Sequence, residues 1–313
     1  MRRTLILLTA LLVLLPATAA QAARSTKKAI VGPVELDGQS AFPIYHDLGA
    51  GIYSGTLDWA RVAAFQPARA RDPEDPSYDW PQDLDEAMSE ARANHLQIAL
   101  TITSAPRWAN GGHPARYAPK QAADFADFAI AAARRYPSVH IWVAWQDASA
   151  APGFSAKRYA QLLDKTYGAL KSVSKRNKVA GGGSTQSGAA KWIKGLKVGG
   201  RAPRLDYYAH DPSSTHRLRS SDLSRVEAAV KRRFHATKKL FLDGYTLPTT
   251  GAHHVSPAAQ AANLKAALRI ARKASYVYTL AYDGVSDQDH TDGRGLLEAD
   301  GTKRPAYSAF KRG

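Results

Sequence analysis

The 313-residue chain contains no cysteine, so it cannot form a disulfide bond. Small exported domains commonly depend on disulfides because their hydrophobic cores are too small to stabilise them alone. Hydrophobic residues make up 44% of this sequence, which is enough for a substantial core. The composition therefore argues against a small disulfide-stapled domain and favours a large domain stabilised by its core.

The sequence also lacks an apolar segment long enough to cross a membrane, which takes about 20 residues. The apolar run at residues 5–15 follows Arg2 and Arg3 and precedes a series of small residues that ends near Ala22. A basic start, a short apolar centre and small residues are typical of a secretory signal peptide. We therefore expect residues 1–22 to be a signal peptide cleaved near Ala22, the protein to be secreted, and no segment to span a membrane.

Acidic residues are outnumbered, with 27 Asp and Glu against 43 Lys and Arg, which gives a formal net charge of +16. Such a charge is consistent with a generic solvated surface, and equally with attraction to anionic cell-surface polymers or acidic glycans. The basic residues are scattered among predicted helices, for example at 225–233 and 269–273, and do not form one patch. We therefore expect no nucleic-acid partner.

No glycine-rich phosphate-binding sequence follows the first predicted strand, which argues against a doubly wound dinucleotide-binding fold. Short apolar runs instead alternate with amphipathic segments, the pattern of parallel strands joined by crossover helices. The predicted strands cover residues 42–46, 51–57, 96–103, 139–145, 178–182, 205–209, 239–242 and 276–281. We predict a single-domain (β/α)8 TIM barrel over residues 41–313, preceded by a disordered lead-in at residues 23–40.

One predicted strand ends in a sequence that resembles a catalytic signature. Residues 141–148 combine an aliphatic and aromatic run with Trp145, Gln146 and Asp147. Other motifs follow in a matching order, at residues 49–53, 105–112, 206–212 and 304–307. Together they resemble clan A of the retaining glycoside hydrolases, including the cellulase-like family 5 and family 39, from about residue 47 to the C-terminus. The resemblance implies a barrel related to enzymes that hydrolyse O-glycosidic bonds of polysaccharides.

The resemblance also implies where the catalytic residues should stand. In clan A two glutamates lie at the ends of the fourth and seventh strands, and these positions match Asp147 and Gly244. Asp147 keeps the acid but is one methylene shorter, and a shift of about 1 Å can cost on the order of 100-fold in rate. Gly244 carries no nucleophile, a loss that can cost about a millionfold. Gln146 replaces the family's substrate-binding Asn. The resemblance therefore implies a degenerate active site.

Asp243 is the nearest carboxyl group to the vacant nucleophile position. Side chains alternate between the two faces of a strand, so Asp243 is expected to point towards the helix layer if Gly244 faces the barrel. A β-bulge at Gly244 would instead turn Asp243 inward, because glycine often marks bulges. Asp243 is therefore a possible substitute for the missing carboxylate.

Aromatic side chains and one histidine at predicted strand ends are candidate substrate contacts. Trp108, Trp145, Tyr245 and Tyr282 could present ring faces to sugars, although Trp and Tyr also fill hydrophobic cores. His210 follows the sixth strand and could lie in the cleft or serve a structural role.

The acidic loop at residues 287–293 could be a calcium loop, a solvated loop or part of a substrate-binding rim, but it lacks the ligand spacing of a known calcium motif. We therefore expect no metal ion and no cofactor.

Two functions are the main candidates at this stage, and a third option is an exported scaffold with no ligand. The first is a secreted, glycoside-hydrolase-like barrel that binds polysaccharide or oligosaccharide and is catalytically impaired. The second is an active glycosidase in which Asp147 is the general acid and a displaced carboxylate, Asp243 or Asp211, is the base. The second function would give inversion, with carboxyl groups about 6.5–9.5 Å apart.

Overall fold

A computed structural model describes residue 25 and residues 27–186, 188–212, 217–288 and 290–313. The predicted signal peptide lies outside these residues. The strands are β1 Lys28–Val31, β2 Glu35–Leu36, β3 Gln39–Ser40, β4 Ile52–Asp58, β5 Gln97–Thr103, β6 Ile141–Ala144, β7 Lys178–Thr185, β8 Tyr207–Asp211, β9 Lys239–Tyr245 and β10 Val277–Asp283. All strands except β2 and β3 form one closed parallel barrel, and β2 and β3 form a separate hairpin.

Helices cover the outside of the barrel. They are α1 Phe42–Asp47, α2 Trp59–Val62, α3 Gln82–Ala93, α4 Arg107–Asn110, α5 Ala122–Arg135, α6 Ala156–Val173, α7 Ala189–Gly195, α8 Ser220–Phe234, α9 Pro257–Lys273 and α10 Pro305–Arg312. Among the described residues, none of these helices is long and apolar enough to span a membrane. The structure confirms the predicted single-domain (β/α)8 architecture.

The prediction of the first strand is wrong. Residues 42–46 belong to helix α1, which begins with Pro43 in its first turn, a position where proline's missing N–H costs nothing. The first barrel strand is β1, which pairs with both β4 and β10. It lies within residues 23–40, which were predicted to be a disordered lead-in. Four residues are too few to show a clear alternation, so the sequence pattern did not reveal this strand.

The barrel separates two hydrophobic cores. Tyr207 and Tyr278 pack against its interior, whose buried residues are small or β-branched apart from Phe241, because eight strands enclose little space. The buried residues are Ala29, Ile52, Ala99, Ile141, Val143, Ala180, Ala209, Phe241 and Ala281. The larger core lies between the strands and the helices and contains most of the aromatic residues. Membership of one core or the other shows which way each strand residue points.

A buried lysine joins the first strand to two helix ends. The ammonium group of Lys28 donates hydrogen bonds to the carbonyl oxygens of Leu48 at 2.8 Å, Phe310 at 3.0 Å and Lys311 at 3.2 Å. Lys28 is only 8% exposed, so these carbonyl groups have little access to water as a replacement partner.

We expect Lys28→Met to lower the free energy of unfolding by about 2 kcal/mol, because buried carbonyls lose their donor. Urea denaturation measures this loss, and Lys273→Met, which removes an exposed lysine, is the matched control. A Lys28→Met protein as stable as the wild type would show that the three contacts contribute nothing.

Candidate active site

Asp147 lies on the loop that leaves β6 at the C-terminal end of the barrel. The backbone there is strained, with φ angles of 60° at Trp145 and 50° at Asp147, values uncommon for residues other than glycine. One carboxyl oxygen of Asp147, Oδ1, is buried and has no hydrogen-bond partner among the described residues. Burial raises the pKa of Asp147 above its usual value. The carboxyl group is therefore biased towards its protonated form, as a general acid requires.

Close contact with β7 holds this loop in place. A Cβ atom on Gly183 would lie 2.8 Å from the Cβ of Ala148 and 3.0 Å from the carbonyl oxygen of Trp145. Gly183 also has a φ of 51°, in the left-handed region. Only glycine lets the backbone of β7 come so near to the Asp147 loop. The glycine run 181–183 thus serves the packing of the site.

Asp243 faces the inside of the barrel, so the expectation that it points towards the helix layer is wrong. Its strand neighbours Leu240 and Leu242 belong to the helix-layer core, whereas Phe241 belongs to the barrel interior. Alternation along β9 therefore places Asp243 on the interior face. The error arose from aligning Gly244, and not Asp243, with the barrel-facing position.

A β-bulge at Gly244 accompanies this inward position. Between β9 and β10 the register runs from Leu242 paired with Leu280 to Tyr245 paired with Tyr282, so β9 has one extra residue. Gly244 has a φ of 74°, which glycine adopts without strain. The extra residue returns Tyr245 to the helix-layer face and leaves both Asp243 and Gly244 on the side of the mouth.

The carboxyl group of Asp243 is buried beside other carboxyl groups. The residue is 6% exposed, and neither carboxyl oxygen accepts a hydrogen bond from another residue in the described part of the chain. Burial is the largest cause that raises its pKa well above the usual value, and the charges of Asp147 and Asp211 add to the shift. Asp147 on the loop after β6, Asp211 on β8 and Asp243 on β9 therefore lie near one another, and burial favours the protonated form of Asp243.

Gly244 and Gln146 lie against each other across the mouth. A Cβ atom on Gly244 would stand 3.2 Å from the side-chain nitrogen of Gln146. The amide of Gln146 therefore borders the space that a side chain at position 244 would enter. The structure therefore places Gln146, Asp147, Asp243 and Gly244 near one another at the mouth.

Three of the predicted aromatic contacts are buried in the helix-layer core and present no ring face to a ligand. Trp145 packs its ring against Phe154 at 5.1 Å between centroids. Tyr245 and Tyr282 are fully buried, and the hydroxyl group of Tyr282 donates to the carbonyl oxygen of Arg294 at 2.7 Å. Tyr245 and Tyr282 lie near the ends of β9 and β10, and Trp145 directly follows β6, but all three side chains point outward into the helix-layer core. Their role as substrate contacts therefore stays a prediction that this burial does not support.

His210 also has no exposed surface. Its Nδ1 lies 2.9 Å from the carbonyl oxygen of Ser184 and its Nε2 lies 3.2 Å from the side-chain oxygen of Gln186. Burial lowers the pKa of His210 to about 4, so the ring is neutral at physiological pH. His210 therefore has a structural role at the β7–β8 junction and is not an open cleft residue.

Trp108 is half-buried and keeps part of its ring exposed. Its indole nitrogen donates to the carbonyl oxygen of Ala63 at 2.8 Å, and its ring meets the edge of Trp59. Of the predicted aromatic contacts, Trp108 alone retains an accessible surface in this structure. It remains a candidate sugar contact on the loop after β5.

One feature of the site escaped the sequence analysis. The hydroxyl group of Tyr159 donates to the carbonyl oxygen of Ala144 at 2.6 Å and accepts from the amide of Gly182 at 3.0 Å, which ties the ends of β6 and β7 together. Nothing in the sequence separates Tyr159 from ordinary core residues of α6, whereas its two contacts do.

The acidic loop after β10 is closed by arginines. Arg294 binds the carboxylates of Asp283 and Asp292 at 3.1 and 2.6 Å, and Arg304 binds Asp287 at 2.6 Å. These carboxylates are engaged by cations of the protein, which argues against the calcium-loop interpretation.

No protein-family model and no curated protein matches the sequence. Solved structures do match the fold. A family 39 glycoside hydrolase from Bacteroides cellulosilyticus WH2 aligns with a TM-score of 0.73 at 15% identity, over 93% of this chain and 63% of that one. A glucosidase from Croceicoccus marinus gives a TM-score of 0.69 at 17% identity, over 92% of this chain and 65% of that one.

A GH5_18 protein from Streptomyces cattleya, solved in complex with Manb1-4GlcNAc, gives a TM-score of 0.66 at 12% identity, over 91% of this chain and 79% of that one. The chain thus spans less than two thirds of the length of the Bacteroides and Croceicoccus proteins. Identities this low establish shared architecture only. The protein therefore has a closed (β/α)8 barrel whose fold is similar to that of these solved structures.

Proposed function

We propose that this protein is a secreted, glycoside-hydrolase-like barrel that binds polysaccharide or oligosaccharide and hydrolyses O-glycosidic bonds weakly or not at all. Supporting this proposal, the neighbours in fold are described as glycoside hydrolases, and the acids of this chain converge where barrel enzymes place their chemistry. The apolar run at residues 5–15, with its basic start, supports export.

The observation that carries the impairment is the state of Asp243. Retaining hydrolysis needs one ionised carboxylate as nucleophile and one carboxylic acid as proton donor. Both Asp147 and Asp243 have raised pKa values, and position 244 has no carboxyl group. Burial thus favours the proton-donor form of both acids and disfavours the ionised form that a nucleophile needs.

One observation favours a second candidate, a working glycosidase. Asp243 faces the barrel interior close enough to Asp147 and Asp211 for their charges to affect its pKa. In this candidate Asp147 protonates the leaving oxygen, and Asp211 or Asp243 removes a proton from the attacking water. Such a water-mediated displacement inverts the anomeric centre.

Assays of the purified wild type, Asp147→Asn and Asp243→Asn separate the two functions. We expect all three proteins to be retarded equally in native gels cast with a polysaccharide that the wild type binds. We also expect none of them to release aryl alcohol from a panel of aryl glycosides. Gels without polysaccharide are the control for mobility.

Steady release by the wild type that Asp147→Asn abolishes would overturn the impairment and establish the second candidate. NMR of the first product anomer would then show inversion or retention. If no polysaccharide retards the protein and no glycoside releases its aryl alcohol, both candidates are contradicted.

A further inference from the structure

A basic cavity lies between the first turn of α5 and the N-terminal half of α6. Its volume is about 770 Å³, within the range of about 300–1,000 Å³ that is usual for ligand sites. Four cationic side chains line it, those of Lys120, Lys157, Arg158 and Lys165. Asp164 is the one acidic side chain among its lining residues.

The positive charge of this cavity is not neutralised from within the described part of the chain. The carboxylate of Asp164 is held by the guanidinium group of Arg204 at 2.8 Å, so it is not available to the lysines. Lys120, Lys157 and Lys165 are exposed and form no salt bridge with the described residues. Three ammonium groups are therefore available to an anionic ligand.

The lysines lie in a row along the cavity, and we call Lys120, Lys157 and Lys165 the basic track. Lys157, Gln161 and Lys165 are spaced four residues apart on α6, so they share one face over about 12 Å. Lys120 approaches from the other wall and lies against Gly111, where an added Cβ would come within 2.6 Å of its ammonium nitrogen. A ligand with charges repeated along its length matches this spacing better than a single compact anion.

The walls of the cavity are tied to each other and to the carboxyl site. Arg158 donates to the carbonyl oxygens of Pro119 at 2.7 Å and Gly153 at 2.9 Å, which links the loops that precede α5 and α6. Phe154 lines the cavity and packs edge-on against Trp145, two residues before Asp147. The cavity and the barrel mouth thus share the loop that follows β6.

We propose that this cavity binds a carboxylate-bearing oligosaccharide, a uronic acid segment of the glycan whose neighbouring part meets the site around Asp147. This inference rests on the proposed function for the sugar nature of the ligand. The lysines supply the contacts to the carboxylates, and the amide of Gln161 is placed between two of them to bond a hydroxyl group. The basic track selects acidic glycans over neutral ones.

The test is calorimetric titration of the full protein with tetragalacturonate and with its fully methyl-esterified form, which keeps the rings but loses the charges. We expect the acid form to bind more tightly, and its affinity to fall as salt is raised. Lys120→Gln, Lys157→Gln and Lys165→Gln combined should weaken acid-form binding about tenfold, because each exposed ion pair contributes modestly. The same variant should bind the methyl ester as the wild type does.

Lys231→Gln, Lys265→Gln and Lys273→Gln combined form the matched control, since they remove the same charge from exposed sites on α8 and α9. If this control loses as much affinity for tetragalacturonate as the cavity variant does, the inference is overturned. It is also overturned if the protein binds inorganic polyphosphate but does not bind tetragalacturonate. If the protein binds neutral polysaccharide but does not prefer the acid form, the proposed function stands and this inference fails. If it binds no glycan of either kind, both fail.

Discussion

Asp243→Asn should make the protein more stable than the wild type, by a margin that grows as the pH rises. The folded-state pKa of Asp243 is raised by burial, whereas the unfolded chain ionises near its ordinary value of 3.8. Between these two values the unfolded state binds fewer protons than the folded state, so the wild type loses stability as pH increases. The slope is about 1.4 kcal/mol per pH unit for one proton. Asparagine has nearly the same shape as aspartic acid and no proton to lose. The free energy of unfolding of the Asp243→Asn variant should therefore lack this dependence on pH.

Urea denaturation of both proteins at pH 5, 6, 7 and 8 measures this difference. Asp164→Asn is the control of opposite sign, because the hydrogen bond from Arg204 lowers the pKa of Asp164 in the folded protein. That variant should be less stable than the wild type at pH 7, and the gap should narrow as the pH falls through the lowered folded-state value. A constant difference between Asp243→Asn and the wild type from pH 5 to pH 8 would show that Asp243 is not protonated by burial.

Restoring both glutamates should create glycosidase activity. In the variant Asp147→Glu with Gly244→Glu, each carboxyl group reaches the position that the clan A resemblance assigns to it. The structure shows two obstacles to this restoration. Position 244 has a φ of 74°, which costs a non-glycine residue about 1–2 kcal/mol, and its Cβ would stand 3.2 Å from the nitrogen of Gln146. Adding Gln146→Asn shortens the amide and removes the second obstacle.

We expect the triple variant to hydrolyse a susceptible aryl glycoside at least about a thousandfold faster than the wild type. The restored nucleophile should recover part of the rate that is lost when a nucleophile is missing. Release of the aryl alcohol is followed spectrophotometrically. Gly244→Ala imposes the backbone strain without a carboxyl group and should stay as inactive as the wild type. A triple variant that keeps the wild-type circular dichroism but gains no activity would show that position 244 is not the nucleophile position.

Much of the architecture could be predicted because barrel strands and helices differ in hydrophobic period over many residues. The predicted strand 96–103 and the observed Gln97–Thr103 agree closely, as do the predicted strand 51–57 and the observed Ile52–Asp58. The short strand β1 was missed because four residues carry almost no periodic signal. The helix at 42–47 was mistaken for a strand because its six residues make fewer than two turns.

The site was predicted only in outline. Motif order pointed to Gln146, Asp147 and Gly244, but the direction of Tyr245 depended on one extra residue in β9, and that of Asp243 on which residues of β9 face the barrel interior. A shift of a single residue exchanges the two faces of a strand, so a small uncertainty in alignment reverses the assignment. The burial of His210 against Ser184 likewise depends on the pairing of β7 with β8, which helix α7 separates in the chain.

The sequence by itself determined the alternation of strands and helices, the lack of disulfides and the excess of positive charge, and it carried the resemblance that assigns Asp147 and Gly244 to the catalytic positions. These are local or compositional properties, and each can be recognised without knowledge of distant neighbours. Only the tertiary structure decided that Asp243 enters the barrel, that three acids share one buried region and that three lysines line one cavity. Burial and the charges of neighbouring groups set a carboxyl group's pKa, and those neighbours come from strands and helices far apart in the chain.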